Sequence, residues 1–171
     1  MNEMMDALLI YSRIGRMEKE KEEVNIKNIV EKALSRLEAD IREKNASITV
    51  EGDFPDITCY EERISQVFLE LIGNSLKYVP AGGVPEIIIG CKENNGDQLF
   101  YVKDNGVGIA ENFYPKVFKM FSRLYADESE YKGSGVGLTA AKKIIELHGG
   151  EIYLESVVGE GTTFYFTLQE G

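Results

Sequence analysis

Apolar residues recur at helical spacing in four parts of the chain. Residues 1 to about 23 are rich in Met and Leu and end in the charged stretch RMEKEKEE, and residues 25 to about 44 begin at Asn25, a residue type that caps helices. The apolar stripe of this second segment is Ile26, Val30, Ala33, Leu37 and Ile41, and that of a third, starting near Glu61, is Ile64, Val67, Phe68, Leu71, Ile72 and Leu76. We predict helices over these three segments, the third ending before Pro80, and a fourth over 137 to 148.

Five segments with strand-type patterns are SITVEG (47–52), EIIIGCK (86–92), QLFYVKD (98–104), EIYLES (151–156) and TFYFTLQ (163–169). Asn95-Gly96 is a strong hairpin signal, whereas residues 104 to 136 are rich in loops, with one short helix around YPKVFKMFSRL. Two hairpins exclude a doubly wound sheet, in which single strands alternate with helices. We therefore predict an α/β (α+β) two-layer sandwich, with one mixed, largely antiparallel sheet, its helices on one face, and an additional N-terminal helix.

Composition narrows the class of protein. With 171 residues, 43% hydrophobic and 28% charged, the chain can form one globular domain. No apolar run approaches a membrane span, and the first residues include acidic ones where a signal peptide is positive, so we expect a soluble, cytoplasmic domain without direct membrane contact. Cys59 and Cys91 form neither a disulfide framework nor a C-x-x-C metal motif. The net charge of −10 argues against nucleic acid as a partner.

Two glycine clusters carry candidate chemistry: DNGVGI (104–109) follows a strand, and KGSGVGL (132–138) precedes a helix. Neither has the spacing of a dinucleotide fingerprint or a P-loop. Backbone N–H groups of the second cluster, at a helix N-terminus, suit a phosphate group, although a plain loop-to-helix turn is the commoner use of such glycines. Asp104 in the first cluster could accept a hydrogen bond from an amino group such as that of adenine, or simply form an Asp-Asn-Gly turn.

The predicted third helix adds a polar face. Glu70, Asn74 and Lys77 are spaced i, i+4 and i+7, so they share one side of the helix, turned away from Val67 and Leu71. Oxygen ligands in line with a positive charge are what a Mg²⁺-triphosphate requires, and a solvated helix face is the alternative. Only in combination with the two glycine clusters does this face favour a nucleotide site.

Five stretches occur in the order QVFLELIGNSLKY, DNGVGI, KVFKMFSRL, KGSGVGL and GEGTTFYFTL. They resemble the N, G1, F, G2 and G3 boxes of the ATP-binding domain of sensor histidine kinases, in the superfamily shared with gyrase, Hsp90 and MutL. The resemblance runs from about residue 24 to the end, and is greatest to phytochrome-like kinases through stretches such as KKIIELHGGEIYLES. It implies that residues 24–171 form a catalytic domain of the Bergerat-type ATP-binding fold, with ATP and Mg²⁺ as cofactors.

The resemblance implies a role for each matching residue. On the phosphate side, Asn74 corresponds to the asparagine that binds Mg²⁺, Glu70 lies beside the metal, and Lys77 contacts phosphate; these three would be the catalytic residues. On the base side, Tyr78 packs beside adenine and Asp104 reads its amino group. The other nucleotide-binding residues so implied are Gly106, Gly108, Ile109, Gly133, Gly135, Val136, Gly137, Leu138 and Thr162.

One departure from the kinase pattern is Glu70, where many of the kinases have asparagine. The ATPase branch of the superfamily has a glutamate there that acts as general base toward water, so an ATPase of the gyrase/Hsp90 type is an alternative. Between Phe121 and Gly133 the sequence matches the ATP lid of the kinases, in which Arg123 is either a γ-phosphate contact or an ordinary exposed arginine. A serine kinase of the anti-sigma-factor type shares the boxes, but such proteins lack an N-terminal segment like the one in this chain.

A second departure is the absence of a phosphorylated histidine. Residues 1–23 resemble the end of the second helix of a dimerisation and histidine-phosphotransfer domain, without its histidine; the apolar pattern alone also allows a terminal helix packed on its own domain. The only histidine, His148, ends the fourth helix before Gly149. We expect it to bond the open helix carbonyls and, when protonated, to be favoured by the helix dipole.

We therefore expect a protein-histidine kinase domain of a two-component system. It would transfer the γ-phosphoryl group of ATP to a histidine on a dimerisation domain absent from this chain, and a response regulator would be an indirect partner. The resemblance implies a dimer for the full-length protein and allows a monomer for this chain. A membrane anchor elsewhere in the full-length protein stays open.

Overall fold

The computed structural model describes residues 20–118 and 137–169. The elements in this part of the chain are β1 (Glu22–Asn25), α1 (Ile26–Arg36), α2 (Glu38–Glu43), β2 (Ser47–Glu51), β3 (Asp56–Cys59), α3 (Glu61–Lys77), β4 (Glu86–Asn94), β5 (Asp97–Asp104), a 3₁₀ helix (Glu111–Lys116), α4 (Gly137–Leu147), β6 (Ile152–Val157) and β7 (Gly161–Thr167). None of these helices combines the length and apolar character that a membrane span requires.

The main sheet has five strands in the order β2-β4-β5-β7-β6. Only β2 and β4 are parallel, and the other three pairs are antiparallel. Asn95 and Gly96, which connect β4 and β5, both have positive φ angles, 52° and 85°, as a tight two-residue hairpin turn requires. The predicted mixed, largely antiparallel sheet is confirmed.

The core lies between one face of this sheet and the helices. Phe68 of α3, Phe100 of β5 and Phe166 of β7 are fully buried, with ring centroids 5.4 Å apart for Phe68–Phe166 and 5.2 Å apart for Phe100–Phe166. Burial of each ring stabilises the fold by about 1.5–3 kcal/mol. The opposite face of the sheet carries half-buried or exposed side chains such as Tyr101, so the helices are gathered on one side, as predicted.

The helix predicted from 25 to about 44 is two helices. The Asn25 cap is confirmed, because its Oδ1 accepts a hydrogen bond from the Lys27 N–H at 3.0 Å. The helix breaks at Leu37, whose φ and ψ of −98° and 7° are not helical. Leu37, at the break, and Ile41, in α2, still pack against the core. The apolar spacing therefore survives the bend, which explains why the pattern does not reveal it.

A two-stranded antiparallel sheet formed by β1 and β3 was not predicted. The helix predicted to extend to about 23 is wrong at Glu22 and Glu23, which belong to β1; residues 1–19 lie outside the described part. β1 has only four residues, EEVN, and no alternation, so its conformation depends on distant pairing with β3. The helix predicted around YPKVFKMFSRL (114–124) is described only up to Phe118. In that part the 3₁₀ helix Glu111–Lys116 takes its place, starting earlier than predicted.

Candidate functional site

Asp104, the last residue of β5, joins three parts of the structure. Its Oδ1 accepts hydrogen bonds from the backbone N–H groups of Gly106 at 2.9 Å and Thr162 at 3.0 Å, and its Oδ2 accepts one from the Ser75 hydroxyl at 2.9 Å. Burial raises the pKa of the Asp104 carboxyl, and these three hydrogen bonds oppose that rise. The carboxylate is thus fixed in orientation and keeps acceptor capacity on Oδ2.

The loop after β5 is packed tightly against the end of α3. The Val107 N–H donates to the Tyr78 carbonyl at 2.9 Å, and a Cβ on Gly106 would lie 2.3 Å from that same oxygen. On its other side, a Cβ on Gly108 would lie 2.3 Å from the Val157 carbonyl oxygen, and the Gly108 φ of 78° also favours glycine. Both glycines of this cluster are therefore required by close approach of backbone to backbone.

Ser156 connects this loop to the β6–β7 hairpin. Its hydroxyl oxygen accepts a hydrogen bond from the Ile109 N–H at 2.7 Å and lies 2.8 Å from Thr162 Oγ1. The Tyr114 hydroxyl accepts from the Ser156 N–H at 2.7 Å and donates to its carbonyl at 2.9 Å. Thr162 and Ile109 are both buried. Ile109 and Thr162, two of the predicted nucleotide-binding residues, are thus linked by one serine that sequence reasoning did not identify.

The polar face of α3 lies beside the start of α4. Glu70 and Asn74 are half-buried and Lys77 is exposed. A Cβ on Gly137, the first residue of α4, would lie 2.2 Å from Glu70 Oε2, so the helix begins directly against this carboxylate. Burial raises the pKa of the Glu70 carboxyl, and the positive charge of Lys77 opposes the rise. The structure thereby brings Glu70, one of the predicted phosphate-side residues of α3, next to the end of the second glycine cluster.

Other predicted residues have mixed outcomes. Leu138, in the first turn of α4, packs against the core. The Thr139 hydroxyl donates to the Phe118 carbonyl at 2.8 Å and so joins the two ends of the described chain that flank residues 119–136. The predictions that fall inside that interval, and so outside the described residues, concern Gly133, Gly135, Val136 and Arg123.

Ser75 is a second contributor that the sequence did not reveal. It lies on the buried face of α3, one helical turn after Leu71, and is 1% exposed. A small polar residue inside an apolar stripe was the available signal. Ser156, in contrast, lies near the end of β6, and no sequence pattern distinguishes it, because its partners come from three separate segments.

His148 lies at the other end of the α3–α4 pair. It is buried; its Nδ1 is 2.8 Å from the Ile144 carbonyl oxygen, and its Nε2 accepts a hydrogen bond from the Tyr60 N–H at 3.1 Å. Burial lowers the pKa of His148, so the neutral ring is the form that fits here, and the predicted bond to a carbonyl at the helix end is made without a positive charge. Asn74 follows Tyr60 by roughly 20 Å of helix. His148 is therefore a structural helix end, and the Gly149 φ of 72° fits the predicted helix-terminating glycine.

The described residues contain no group of three or more His, Cys, Asp or Glu side chains arranged to hold a metal ion by themselves. Glu70 and Asn74 supply a carboxylate and an amide oxygen on adjacent turns. Mg²⁺ commonly takes only one or two protein ligands and completes its octahedral shell with phosphate oxygens and water. The pair therefore fits a Mg²⁺ ion delivered with a phosphate ligand, and does not fit a resident metal.

Residues 59–171 match the sequence model of a family described as "Histidine kinase-, DNA gyrase B-, and HSP90-like ATPase". Over 171 residues the chain is 40% identical to cyanobacterial phytochrome B of Nostoc sp. strain PCC 7120 and 37% identical to the phytochrome-like protein Cph1 of Synechocystis sp. strain PCC 6803. These matches cover 99% and 100% of this chain but 23% and 22% of the relatives, so the chain spans less than a quarter of their length. The catalytic domain of histidine kinase ThkA has a similar fold, with a TM-score of 0.74 and 25% identity over 89% of this chain and 97% of that one.

Proposed function

This chain belongs to the family of histidine kinase-, DNA gyrase B- and HSP90-like ATPases, and from that membership we propose that it is the ATP-binding catalytic domain of a two-component sensor histidine kinase. It binds Mg·ATP and delivers the γ-phosphoryl group to a histidine on a dimerisation domain. The observation that carries this proposal is the fixed Asp104 carboxylate at the junction of α3, the glycine loop and β7. The carboxylate can accept a hydrogen bond from an amino group on a base, and the neighbouring glycine backbone allows a flat ring to come close.

At the base end, Asp104 Oδ2 accepts a hydrogen bond from the amino group of adenine. Gly106 and Gly108 let the backbone pass close to the ring, because no Cβ intervenes. Tyr78, Ile109 and Thr162 line the same end, the latter two as buried residues.

At the phosphate end, Asn74 and Glu70 would hold Mg²⁺ and Lys77 would contact the phosphates. The ion would supply charge neutralisation for the triphosphate. Backbone N–H groups at the start of α4, from Gly137 and Leu138, face the phosphates, and Gly133, Gly135 and Val136 complete that loop in the proposal. Glu70 and Asn74 are half-buried, so part of each side chain is accessible to an ion.

The chain contributes to transfer by positioning ATP and by balancing its charge. The acceptor is an imidazole of another domain that attacks the γ-phosphorus in line with the leaving oxygen. His148 is not that acceptor, because both of its ring nitrogens are engaged in the interior at the far end of α4. We place the start of the catalytic unit at β1, slightly before the predicted boundary at residue 24, because β1 pairs with β3 of that unit. The residues before β1 would then belong to the dimerisation domain. A response regulator then receives the phosphoryl group from the histidine.

One observation favours a second candidate, an ATPase that uses Glu70 as a general base. Burial raises the pKa of Glu70, which is the direction that suits proton abstraction from water near neutral pH. The two candidates differ in what happens to the γ-phosphoryl group.

The deciding experiment mixes this chain with γ-labelled Mg·ATP and a separately made dimerisation domain that contains its histidine. The kinase proposal expects acid-labile, alkali-stable label on that domain, and none on a His→Ala version of it. Release of free phosphate without any labelled domain would instead favour the ATPase.

A further inference from the structure

The Ser156 hydroxyl makes three hydrogen bonds whose directions can be assigned. Its oxygen accepts from the Ile109 N–H at 2.7 Å, and it lies 2.8 Å from both the Gly161 carbonyl oxygen and Thr162 Oγ1. A carbonyl oxygen can only accept, so the single proton of Ser156 is donated to Gly161. The bond between the two hydroxyls must then be donated by Thr162, and Ser156 is saturated.

This assignment fixes what Thr162 can offer to a ligand. Its hydroxyl proton is directed at Ser156, so Oγ1 presents only lone pairs to any other group. Its backbone N–H donates to Asp104 Oδ1, which places it beside the carboxylate. The single Ser75 proton is likewise used, because it lies between two acceptors, Asp104 Oδ2 at 2.9 Å and the Leu71 carbonyl oxygen at 3.2 Å. The side chains of Asp104, Ser75 and Thr162 therefore form a wall of acceptors without a free side-chain donor.

We propose that Ser156 is a specificity-determining positioning residue: by taking the Thr162 proton, it makes this wall select a 6-amino purine nucleotide against a 6-oxo purine nucleotide. The inference rests on the proposed function. A 6-amino group donates to Asp104, whereas a 6-oxo group would face acceptor atoms and leave its own oxygen unpaired. We expect this mismatch to weaken binding of the 6-oxo nucleotide by about tenfold or more. Ser156 acts through Thr162 and does not touch the base.

The backbone of Ser156 is held independently of its hydroxyl. Tyr114 bonds both the N–H and the carbonyl of Ser156 at 2.7 and 2.9 Å. Ser156→Ala therefore removes the hydroxyl while the strand stays in register, and it frees the Thr162 hydroxyl to rotate and donate.

The test measures dissociation constants of the full chain for ATP and for inosine triphosphate, in which a 6-oxo group replaces the 6-amino group and N1 carries a hydrogen. We expect unmodified protein to prefer ATP, and Ser156→Ala to reduce the ATP-over-inosine ratio by about tenfold, mainly through tighter binding of the inosine nucleotide. A structural role alone would weaken both nucleotides by the same factor, and an unchanged ratio in the variant would overturn the inference.

Thr162→Val gives an independent test, which decides the question where Ser156→Ala does not fold. It keeps the N–H bond to Asp104 and removes the acceptor Oγ1, so ATP binding should weaken while inosine triphosphate binding does not. An unchanged ratio in Thr162→Val would contradict the inference while leaving the proposed function intact. Failure of unmodified protein to bind either nucleotide would overturn both.

Discussion

The hydroxyl of Ser75 donates a hydrogen bond to Asp104 Oδ2 at 2.9 Å and so links the buried face of α3 to the end of β5. Oδ1 of the same carboxylate is occupied by two backbone N–H groups, from Gly106 and Thr162. Oδ2 is therefore the oxygen left for a ligand, and Ser75 holds it in place. This relationship makes the orientation of the proposed base-reading carboxylate depend on a helix that also carries the proposed phosphate-side residues.

Ser75→Ala should weaken ATP binding and shift its pH dependence. Burial raises the pKa of Asp104 and the Ser75 bond lowers it, so loss of that bond raises the pKa further. Affinity that needs the ionised carboxylate is lost as the pH falls through this pKa, and in the variant the loss should begin at a higher pH. Dissociation constants measured from neutral pH down to about pH 4, near the ordinary pKa of an aspartate, would show the shift.

A matched control for this variant is Ser65→Ala on the same helix. Ser65 is also 1% exposed, and its hydroxyl has no hydrogen-bond partner within the described residues. It should leave both the affinity and its pH profile unchanged. Equal behaviour of the two variants would contradict the role of Ser75.

Gly106→Ala should disturb the close packing between the loop after β5 and the end of α3. The added Cβ would lie 2.3 Å from the Tyr78 carbonyl oxygen, a backbone atom that cannot move without α3, and the Val107–Tyr78 hydrogen bond would be strained. We expect a loss of about 1–3 kcal/mol in the free energy of unfolding and at least about tenfold weaker ATP binding. Urea denaturation and nucleotide titration measure the two effects.

Gly73→Ala serves as the comparison, since nothing lies within 4 Å of a Cβ at that position in α3. Alanine in a helix interior is favoured over glycine by about 1 kcal/mol, so this variant should be as stable as the unmodified protein or more so. Destabilisation by Gly73→Ala as large as that by Gly106→Ala would mean that close packing is not the cause.

Glu70→Gln distinguishes the two candidate functions. The amide keeps an oxygen for Mg²⁺ and removes the base, so a kinase should retain phosphoryl transfer to an added dimerisation domain at roughly the original rate, within about threefold. An ATPase would lose phosphate release by about a hundredfold or more. Parallel measurement of labelled domain and free phosphate gives the answer, and loss of both activities with intact ATP binding would contradict the metal-side role proposed for Glu70.

His148→Gln should affect stability and its pH dependence more than phosphoryl transfer. Burial lowers the pKa of His148 in the folded state, so the unfolded chain binds the proton more tightly. The contribution of the neutral ring is present above its unfolded pKa and is lost as the pH falls below about 6.5 toward the folded value. The difference in urea midpoint between the unmodified protein and the variant should therefore shrink on acidification.

This comparison removes the contribution of the buried carboxyls, because Asp104 and Glu70 titrate equally in both proteins. A difference in midpoint that stays constant between about pH 8 and pH 5 would contradict the neutral, buried role of His148. Loss of transfer at pH 8 with the fold intact would give this histidine a function beyond structure.

Long elements with a sustained pattern were predictable from sequence. α3 carries an unbroken apolar stripe, and the β4–β5 hairpin has Asn95-Gly96, whose backbone conformation is local. β1 was not predictable, because four residues with two glutamates become a strand only by pairing with β3, more than thirty positions later. The break at Leu37 was not predicted because the spacing of the apolar residues from Ile26 to Ile41 fits one continuous helix as well as two helices.

In the candidate site, residues with carboxylate or amide side chains could be picked out from the sequence, whereas the serines that hydrogen-bond to its residues could not. Spacing placed Glu70 and Asn74 on one helix face, Asp104 stood out beside a glycine cluster, and the family resemblance assigned all three to one site. Ser75 and Ser156 act through one hydroxyl proton each, and the direction of that proton depends on partners from distant segments. Such information becomes available only when the atoms around a hydroxyl are known.

The proposed base end of the site is shared between two stretches of chain that lie on either side of residues 119–136. Asp104 and Ser75 precede that interval and Thr162 and Ser156 follow it, while β5 pairs with β7 across it. Two separately expressed fragments, ending at Phe118 and starting at Lys119, would each carry half of the hydrogen-bonding set. Their reassembly would be driven by sheet pairing and core burial, and ATP should tighten it, which would make the domain a split reporter for its own nucleotide.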